Sequence, residues 1–310
     1  MEKETKIWVA GHRGMVGSAI VRKLRSEGYH NLVLRTHSEL DLTDANAVEQ
    51  FFVSERPEMV FLAAAKVGGI KSNSLYKADF IWENLMIQSN VIKFSHKYGV
   101  KKLLFLGSSC IYPRNADQPI KEEYLLSGYL EETNDAYAIA KIAGIKMCQS
   151  FNQQWGTNFI SVMPSNLYGI GDNYHPENSH VLPALIRKFH EAKVTGLGEV
   201  TLWGDGSPRR EFLFADDLAG ACLYIMGNDM EWDLINVGSG WDLTIRELAE
   251  LVRNVVYPEC RILFNGEQNM NGTPRKLLDI TRISSLGWRY FMSLSEGISV
   301  SYKDYLDRIG

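Results

Sequence analysis

Through the first half of the chain, short apolar runs alternate with longer stretches whose apolar residues recur every three to four positions. The runs within KIWVA (from Lys6), NLVLR (Asn31 to Arg35), MVFLA (Met59 to Ala63) and KLLFL (Lys102 to Leu106) predict strands. Amphipathic stretches leading to Val21, from Asp44 to Ser54 and from Ile81 to Tyr98 predict the helices between them, with a loop over Ala64 to Ser74. A further Pro-free run, DAYAIAKIAGIKMCQSF, predicts a helix from Asp135 to Phe151. Such alternation implies an α/β fold with a parallel, doubly wound sheet. Ligands of such sheets lie beyond the carboxyl ends of the strands, so loops beginning at Gly11, Ala64 and Gly107 are expected to share one crevice.

The first strand breaks into three glycines, Gly11, Gly14 and Gly17. Gly11 allows a tight turn, Gly14 lets backbone approach a pyrophosphate, and Gly17 lets the helix pack closely; the helix N-terminus then offers N–H groups to phosphate. A glycine triplet alone also marks ordinary turns, but here it follows a strand, opens a helix and precedes a second strand. An NAD site places a carboxylate near the end of that second strand. This chain has Arg35 there and Arg13 in the glycine loop, and two guanidinium groups suit a 2′-phosphate, so the expected cofactor is NADPH/NADP+.

From about Pro164 the pattern changes to helices (Val181 to Ala192, Thr244 to Val255) among short strands and turns. The expected architecture is therefore a Rossmann-type doubly wound parallel sheet over residues 1–163, with a smaller C-terminal α/β substrate lobe over residues 164–310. A segment around 212–237 is expected to return to the cofactor domain. With 310 residues and 45% hydrophobic content, the chain can bury such a core. A net charge of −4 gives no general basic field for nucleic acid. No apolar run spans a bilayer and no signal peptide precedes the first strand, which places the protein in the cytoplasm. Cys110, Cys148, Cys222 and Cys260 are scattered, which suits neither a metal site nor disulfides.

Tyr137 and Lys141 stand at i and i+4 and project from one helix face. An ammonium beside a phenol would lower the phenol's pKa from about 10 and let it exchange a proton with a substrate oxygen, which a Ser108 hydroxyl could also hold. Taken alone, Cys110 is the kind of small residue found in cores, and His180 a neighbour of a helix start.

With Asn166 after a later strand, these residues resemble the extended short-chain dehydrogenases/reductases that modify nucleotide sugars. GSSCIYP, YAIAKIAG, NLYG, NSHVLPALIRKFHEA, WGDGSPRREF and GTPRKLLD are similar to the branch acting on GDP-4-keto-6-deoxy-mannose as 3,5-epimerase and 4-reductase, and the match runs end to end. The resemblance implies that Ser108, Tyr137 and Lys141 form the reduction triad, and that Cys110 and His180 are the base and acid that invert C3 and C5. It also implies a cofactor pocket of Gly11, Arg13, Gly14, Met15, Val16, Gly17, Arg35, Asp41, Leu42, Leu106, Gly107, Tyr137, Lys141, Pro164, Asn166, Leu167 and His180. Ser108, Asn166, Lys188, Trp203, Arg210 and Asn271 would contact the GDP-sugar, Asn271 standing where relatives usually carry Asp. A homodimer packed through the helices containing Ile81 to Tyr98 and Tyr137 to Phe151 is likewise implied.

Dehydratases of similar layout carry an acidic pair where this chain has Ser109 and Cys110, which disfavours water elimination. Three classes of function remain: this epimerase–reductase, an enzyme acting on a related GDP-keto sugar such as a heptose or a 3-deoxy sugar, and an idle NADP(H)-binding regulator.

Overall fold

The structure is a computed structural model that describes residues 1–267 and 273–310. In order, the first lobe runs β1 (Ile7–Ala10), α1 (Met15–Ser26), β2 (Leu32–Val33), α2 (Ala45–Glu55), β3 (Met59–Leu62), α3 (Ile70–Leu75), α4 (Lys77–Lys97), β4 (Lys102–Leu106), α5 (Asp135–Trp155) and β5 (Phe159–Pro164). The chain continues through β6 (Asn166–Tyr168), α6 (Val181–Thr195), β7 (Glu199–Leu202), β8 (Arg209–Arg210), β9 (Phe212–Phe214), α7 (Ala215–Gly227) and β10 (Leu234–Val237). It closes with β11 (Leu243–Thr244), α8 (Ile245–Val256), β12 (Arg261–Phe264), β13 (Arg275–Lys276), α9 (Thr281–Ser285) and α10 (Leu294–Ile309).

Six strands form one parallel sheet in the order β10-β5-β4-β3-β1-β2, so the winding direction reverses between β1 and β3. This is the expected doubly wound α/β architecture of Rossmann type. Alternation along β1 explains the two layers: Trp8 and Ala10 pack with α2, α4 and α5, whereas Ile7 and Val9 pack with α1 and α7. β10 arrives late in sequence yet pairs Leu234–Val237 against Ser161–Pro164 of β5. A third core joins α6, α8 and α10, with Phe189, Leu248 and Ile298 fully buried. No described helix is long and apolar enough to cross a membrane.

Two expectations need correction. The strand expected over Asn31 to Arg35 pairs only at Leu32 and Val33. Beyond it the chain turns, because Glu39 accepts from the Thr36 N–H at 2.7 Å and Leu40 N–H bonds to Thr36 O at 2.9 Å. The loop expected over Ala64 to Ser74 instead contains most of α3.

Gly17 shows how tightly β1 and α1 are joined. A Cβ there would lie 2.1 Å from Gly11 O, a backbone atom with little room to move. Gly17→Ala is therefore expected to lower Tm, since overpacking of about 1–3 kcal/mol exceeds the roughly 1 kcal/mol that alanine gains in a helix. Thermal unfolding checks this; an unchanged or higher Tm would show that the contact relaxes freely.

Candidate active site

The glycine loop forms the floor of the cleft at the point where the sheet winding reverses. Gly11 has φ +84°, and a Cβ on it would stand 2.6 Å from Ala64 N, so the loops after β1 and β3 touch. Gly14 N–H closes the turn on Gly11 O at 3.0 Å, and Gly14 caps α1 without a side-chain hydrogen bond. The first-turn N–H groups, including those of Met15 and Val16, therefore face the crevice without a side-chain cap. Above them, Gly171 approaches Met15 Cα, its own absent Cβ position 3.5 Å away, which brings the loop before α6 over the start of α1.

The two arginines differ. Arg13 is exposed at the loop, whereas Arg35 forms an ion pair with Glu55 and donates to Leu34 O at 3.1 Å. Glu55 also holds Lys6 at 2.8 Å. Asp41 accepts from Thr43 N and Oγ1 at 2.9 and 2.8 Å, and buried Leu42 offers its carbonyl to Asn90 Nδ2 at 2.9 Å. The more available guanidinium is thus Arg13. Arg13→Ala is expected to cut kcat/KM with NADPH about tenfold while barely changing that with NADH, the size of one lost charge-assisted hydrogen bond. Equal losses for both cofactors would remove Arg13 from 2′-phosphate recognition.

At the end of β4, Gly107 N–H bonds to Val162 O at 2.9 Å, and Ser108 Oγ caps a short 3₁₀ turn over Ser109–Ile111 by accepting from Cys110 N at 3.4 Å. α5 crosses this turn. Lys141 Nζ donates to Leu106 O at 2.7 Å and lies 5.8 Å from the Tyr137 ring centroid, while Phe80 packs edge-on to that ring. Ser108 hydrogen-bonds the Tyr137 phenol, and the Cys110 side chain lies close enough to raise that phenol electrostatically. Ser108, Cys110, Tyr137 and Lys141 therefore form one cluster.

Its protonation corrects the expectation of a lowered phenol. Burial raises the Tyr137 pKa, the Cys110 sulfur adds to the rise, and only the Ser108 hydrogen bond opposes them. Burial lowers Lys141 to about 8. The Cys110 thiol is raised by burial, with Lys276, Ser108 and Lys141 pulling it back. A phenol that keeps its proton suits a donor to a developing alkoxide.

His180 is the N-cap of α6, its carbonyl accepting from Ala184 N at 3.0 Å. Solvent reaches it through the mouth of the cleft, while the protein crowded around it lowers its imidazole pKa and keeps it neutral. Its loop is pinned by Ser72 Oγ donating to Asn178 Oδ1 at 2.6 Å. Two turns along α6, Lys188 Nζ lies 4.9 Å from the ring centroid of Trp203, which is 64% exposed. Burial lowers Lys188 and Arg210, although a guanidinium stays charged. Asn166 donates from Nδ2 to Glu211 O at 2.8 Å, Pro164 ends β5, and Leu167 packs partly buried on the α1–α7 core. Asn271 lies outside the described residues.

Sequence reasoning missed Glu211, fully buried, whose carboxylate accepts from Gly240 N at 2.7 Å and Leu278 N at 2.9 Å. It also missed Lys276, though it quoted the GTPRKLLD motif that contains it. Two adjacent cations in that stretch, Arg275 and Lys276, were the available signal.

Residues 7–238 match the model of the NAD dependent epimerase/dehydratase family, and the chain belongs to that family. Over nearly full length it is 58% identical to GDP-L-fucose synthase 1 of Arabidopsis thaliana, covering 99% of this chain and 95% of the relative. It is 53% identical to GDP-L-fucose synthase of Escherichia coli K12, covering 97% of each. Among solved structures, a GDP-mannoheptose C4 reductase from Campylobacter jejuni with NADP bound superimposes with a TM-score of 0.90 at 44% identity, over 99% of both chains.

The nicotinamide dinucleotide implied by this family fits the residues present. A cradle too tight for a Cβ at Gly11 and Gly17, an α1 start with no side-chain cap, and Arg13 at its rim provide for two phosphates and a third.

Proposed function

We propose that the protein is an NADPH-dependent epimerase–reductase that converts GDP-4-keto-6-deoxy-D-mannose into GDP-L-fucose, inverting C3 and C5 before reducing C4. The observation that carries this reading is the position of Cys110 beside the Tyr137 phenol, which puts a group able to exchange protons with carbon next to one able to protonate the C4 oxygen. Full-length identity of 53–58% to GDP-L-fucose synthases supports the same substrate.

In this reading Cys110, as thiolate, removes the proton from the carbon beside the ketone, and His180, protonated from solvent, gives a proton to the opposite face. Carbon–hydrogen bonds beside a carbonyl are acidic enough for this, because the C4 oxygen carries the charge of the enolate. Ser108 and Tyr137 hold that oxygen, and Tyr137 later protonates it. When bound, NADPH supplies the hydride for C4. The phosphates rest on Gly11, Gly14 and the α1 start, while Lys188, Trp203 and Arg210 anchor the GDP.

The test mixes the purified protein with NADPH and GDP-4-keto-6-deoxy-mannose, follows NADPH absorbance and identifies the sugar by NMR. GDP-L-fucose is the expected product. Faster turnover of a GDP-4-keto-heptose would replace the hexose assignment, a reading that the C4 reductase relative keeps in view. No NADPH oxidation with either sugar would leave a cofactor-binding protein without this chemistry.

The same proposal includes a homodimer formed through α4 and α5, which pack on each other and expose Trp82, Ile139 and Trp155. Light scattering is expected to give twice the 35.1 kDa chain mass, and a monomer would remove this part. A cytoplasmic location is part of this reading, supported by four cysteines that are all unpaired.

A further inference from the structure

The short strands β8 and β13 sort their cations by face. They run parallel with Lys276 opposite Arg210 and Arg275 opposite Arg209. Arg209 and Arg275 both turn to the carboxylate of Asp242. Successive side chains of a strand point to opposite sides, so Arg210 and Lys276 share the other face, toward the cleft. There Lys276 donates to no described protein group, although it keeps only partial contact with solvent.

Backbone pairing fixes where that ammonium stands. Just after Lys276, Leu277 O accepts from Ile120 N at 2.7 Å and Leu277 N donates to Gln118 Oε1 at 2.8 Å. Asp279 N donates to Ile120 O at 2.8 Å, so the strand is stitched to the segment that follows Cys110. Leu278 N is held by the buried Glu211, the residue next to Arg210. The strand therefore holds Lys276 opposite Arg210, with its ammonium within electrostatic reach of the Cys110 thiol.

The charged groups around the thiol are Lys276 from β13, Lys141 and Tyr137 from α5, and beyond Lys276 the Arg210 of β8 and Glu131 from the loop before α5. Burial raises Cys110 and lowers Lys276, and each opposes the other's shift, Lys276 acting on Cys110 more strongly than Lys141 does. Lys141 already serves the Leu106 carbonyl. Arg210 repels Lys276, so an anion between the cleft groups relieves both.

We propose that Lys276 is a positioning residue for epimerisation, its ammonium holding Cys110 as the thiolate that takes the proton from C3 and C5. This rests on the epimerase–reductase reading above. In the step, a sulfur lone pair forms S–H, the carbon–hydrogen bond breaks, and its electron pair becomes an enolate charge on the C4 oxygen. Protonated His180 then gives a proton to the carbon on the opposite face as the enolate electrons return to it, Cys110 passes its proton to water and His180 regains one from solvent, so the inversion involves no net redox change.

The experiment uses the full chain with Lys276→Met, Lys276→Gln and Lys276→Arg, and takes two readouts across a pH series. The first is deuterium entry at C3 and C5 of GDP-4-keto-6-deoxy-mannose in D₂O, by NMR. The second needs no substrate: iodoacetamide labelling of Cys110, scored by mass on its own peptide. Near pH 7 the neutral variants are expected to lose about tenfold in both rates, the change in thiolate population for one pKa unit, and to recover as pH rises. Lys276→Arg should keep most of both. Should Lys276→Met fail to fold, Lys276→Gln decides with similar length and no charge. Neutral variants with the parental pH dependence in the labelling arm overturn the proposal. Absence of deuterium entry in the parent protein instead overturns the epimerase reading, while the labelling arm still tests Lys276.

Discussion

Tyr137→Phe is expected to lower kcat for C4 reduction about 100-fold or more while leaving NADPH affinity within about twofold. In the proposed mechanism the phenol protonates the C4 oxygen, and burial keeps that proton on it at neutral pH. The ring itself stays against Phe80, so packing survives the change. Stopped-flow NADPH oxidation gives the rate and a fluorescence titration gives the affinity. Unchanged turnover would make the Tyr137–Lys141 pair a structural contact. The same assay carries a pH signature. Lys141 is lowered to about 8, so its charge is present below that pH and is lost as pH rises through it. Reduction is therefore expected to decline above about pH 8.

Cys110→Ser should separate the two chemistries. A serine hydroxyl does not ionise near neutral pH, whereas a thiol, with an unperturbed pKa of about 8.5, can; burial raises Cys110 and the cations beside it work against that rise. Deuterium entry at C3 and C5 is expected to fall by more than about 100-fold. Reduction of the unepimerised keto sugar should continue slowly, because Ser108, Tyr137 and Lys141 are untouched, and yield a GDP-6-deoxy-hexose with C3 and C5 unchanged. Product NMR in D₂O reads both results. Full deuteration by the variant would assign the base to another residue.

What the sequence revealed was local. The glycine spacing, the i,i+4 pair and the apolar runs are each set by residues a few positions apart, and β1, β3, β4, α4 and α5 formed close to where those patterns placed them. What it concealed depends on distant partners. Glu55, 20 residues on, pairs with the Arg35 guanidinium, a contact that no local pattern announces. Strands β8 and β13 are two residues each, too short for any periodicity, and exist because residues 66 apart pair with one another. The phenol of Tyr137 moves opposite to the direction its lysine suggests, since burial by the surrounding fold and the nearby Cys110 raise it and only the Ser108 hydrogen bond opposes them.

The late arrival of β10 bears on how this chain is made. Its place beside β5 stays empty until about 70 more residues have been synthesised. At about 5–20 residues per second that is a wait of roughly 4–15 s, during which β5 presents bare N–H and C=O groups along one edge. The nascent cofactor-binding half is thus a sticky intermediate on the ribosome, and slowing translation between Ser165 and Val237 should lower the soluble yield of a protein whose finished form has no such edge at β5.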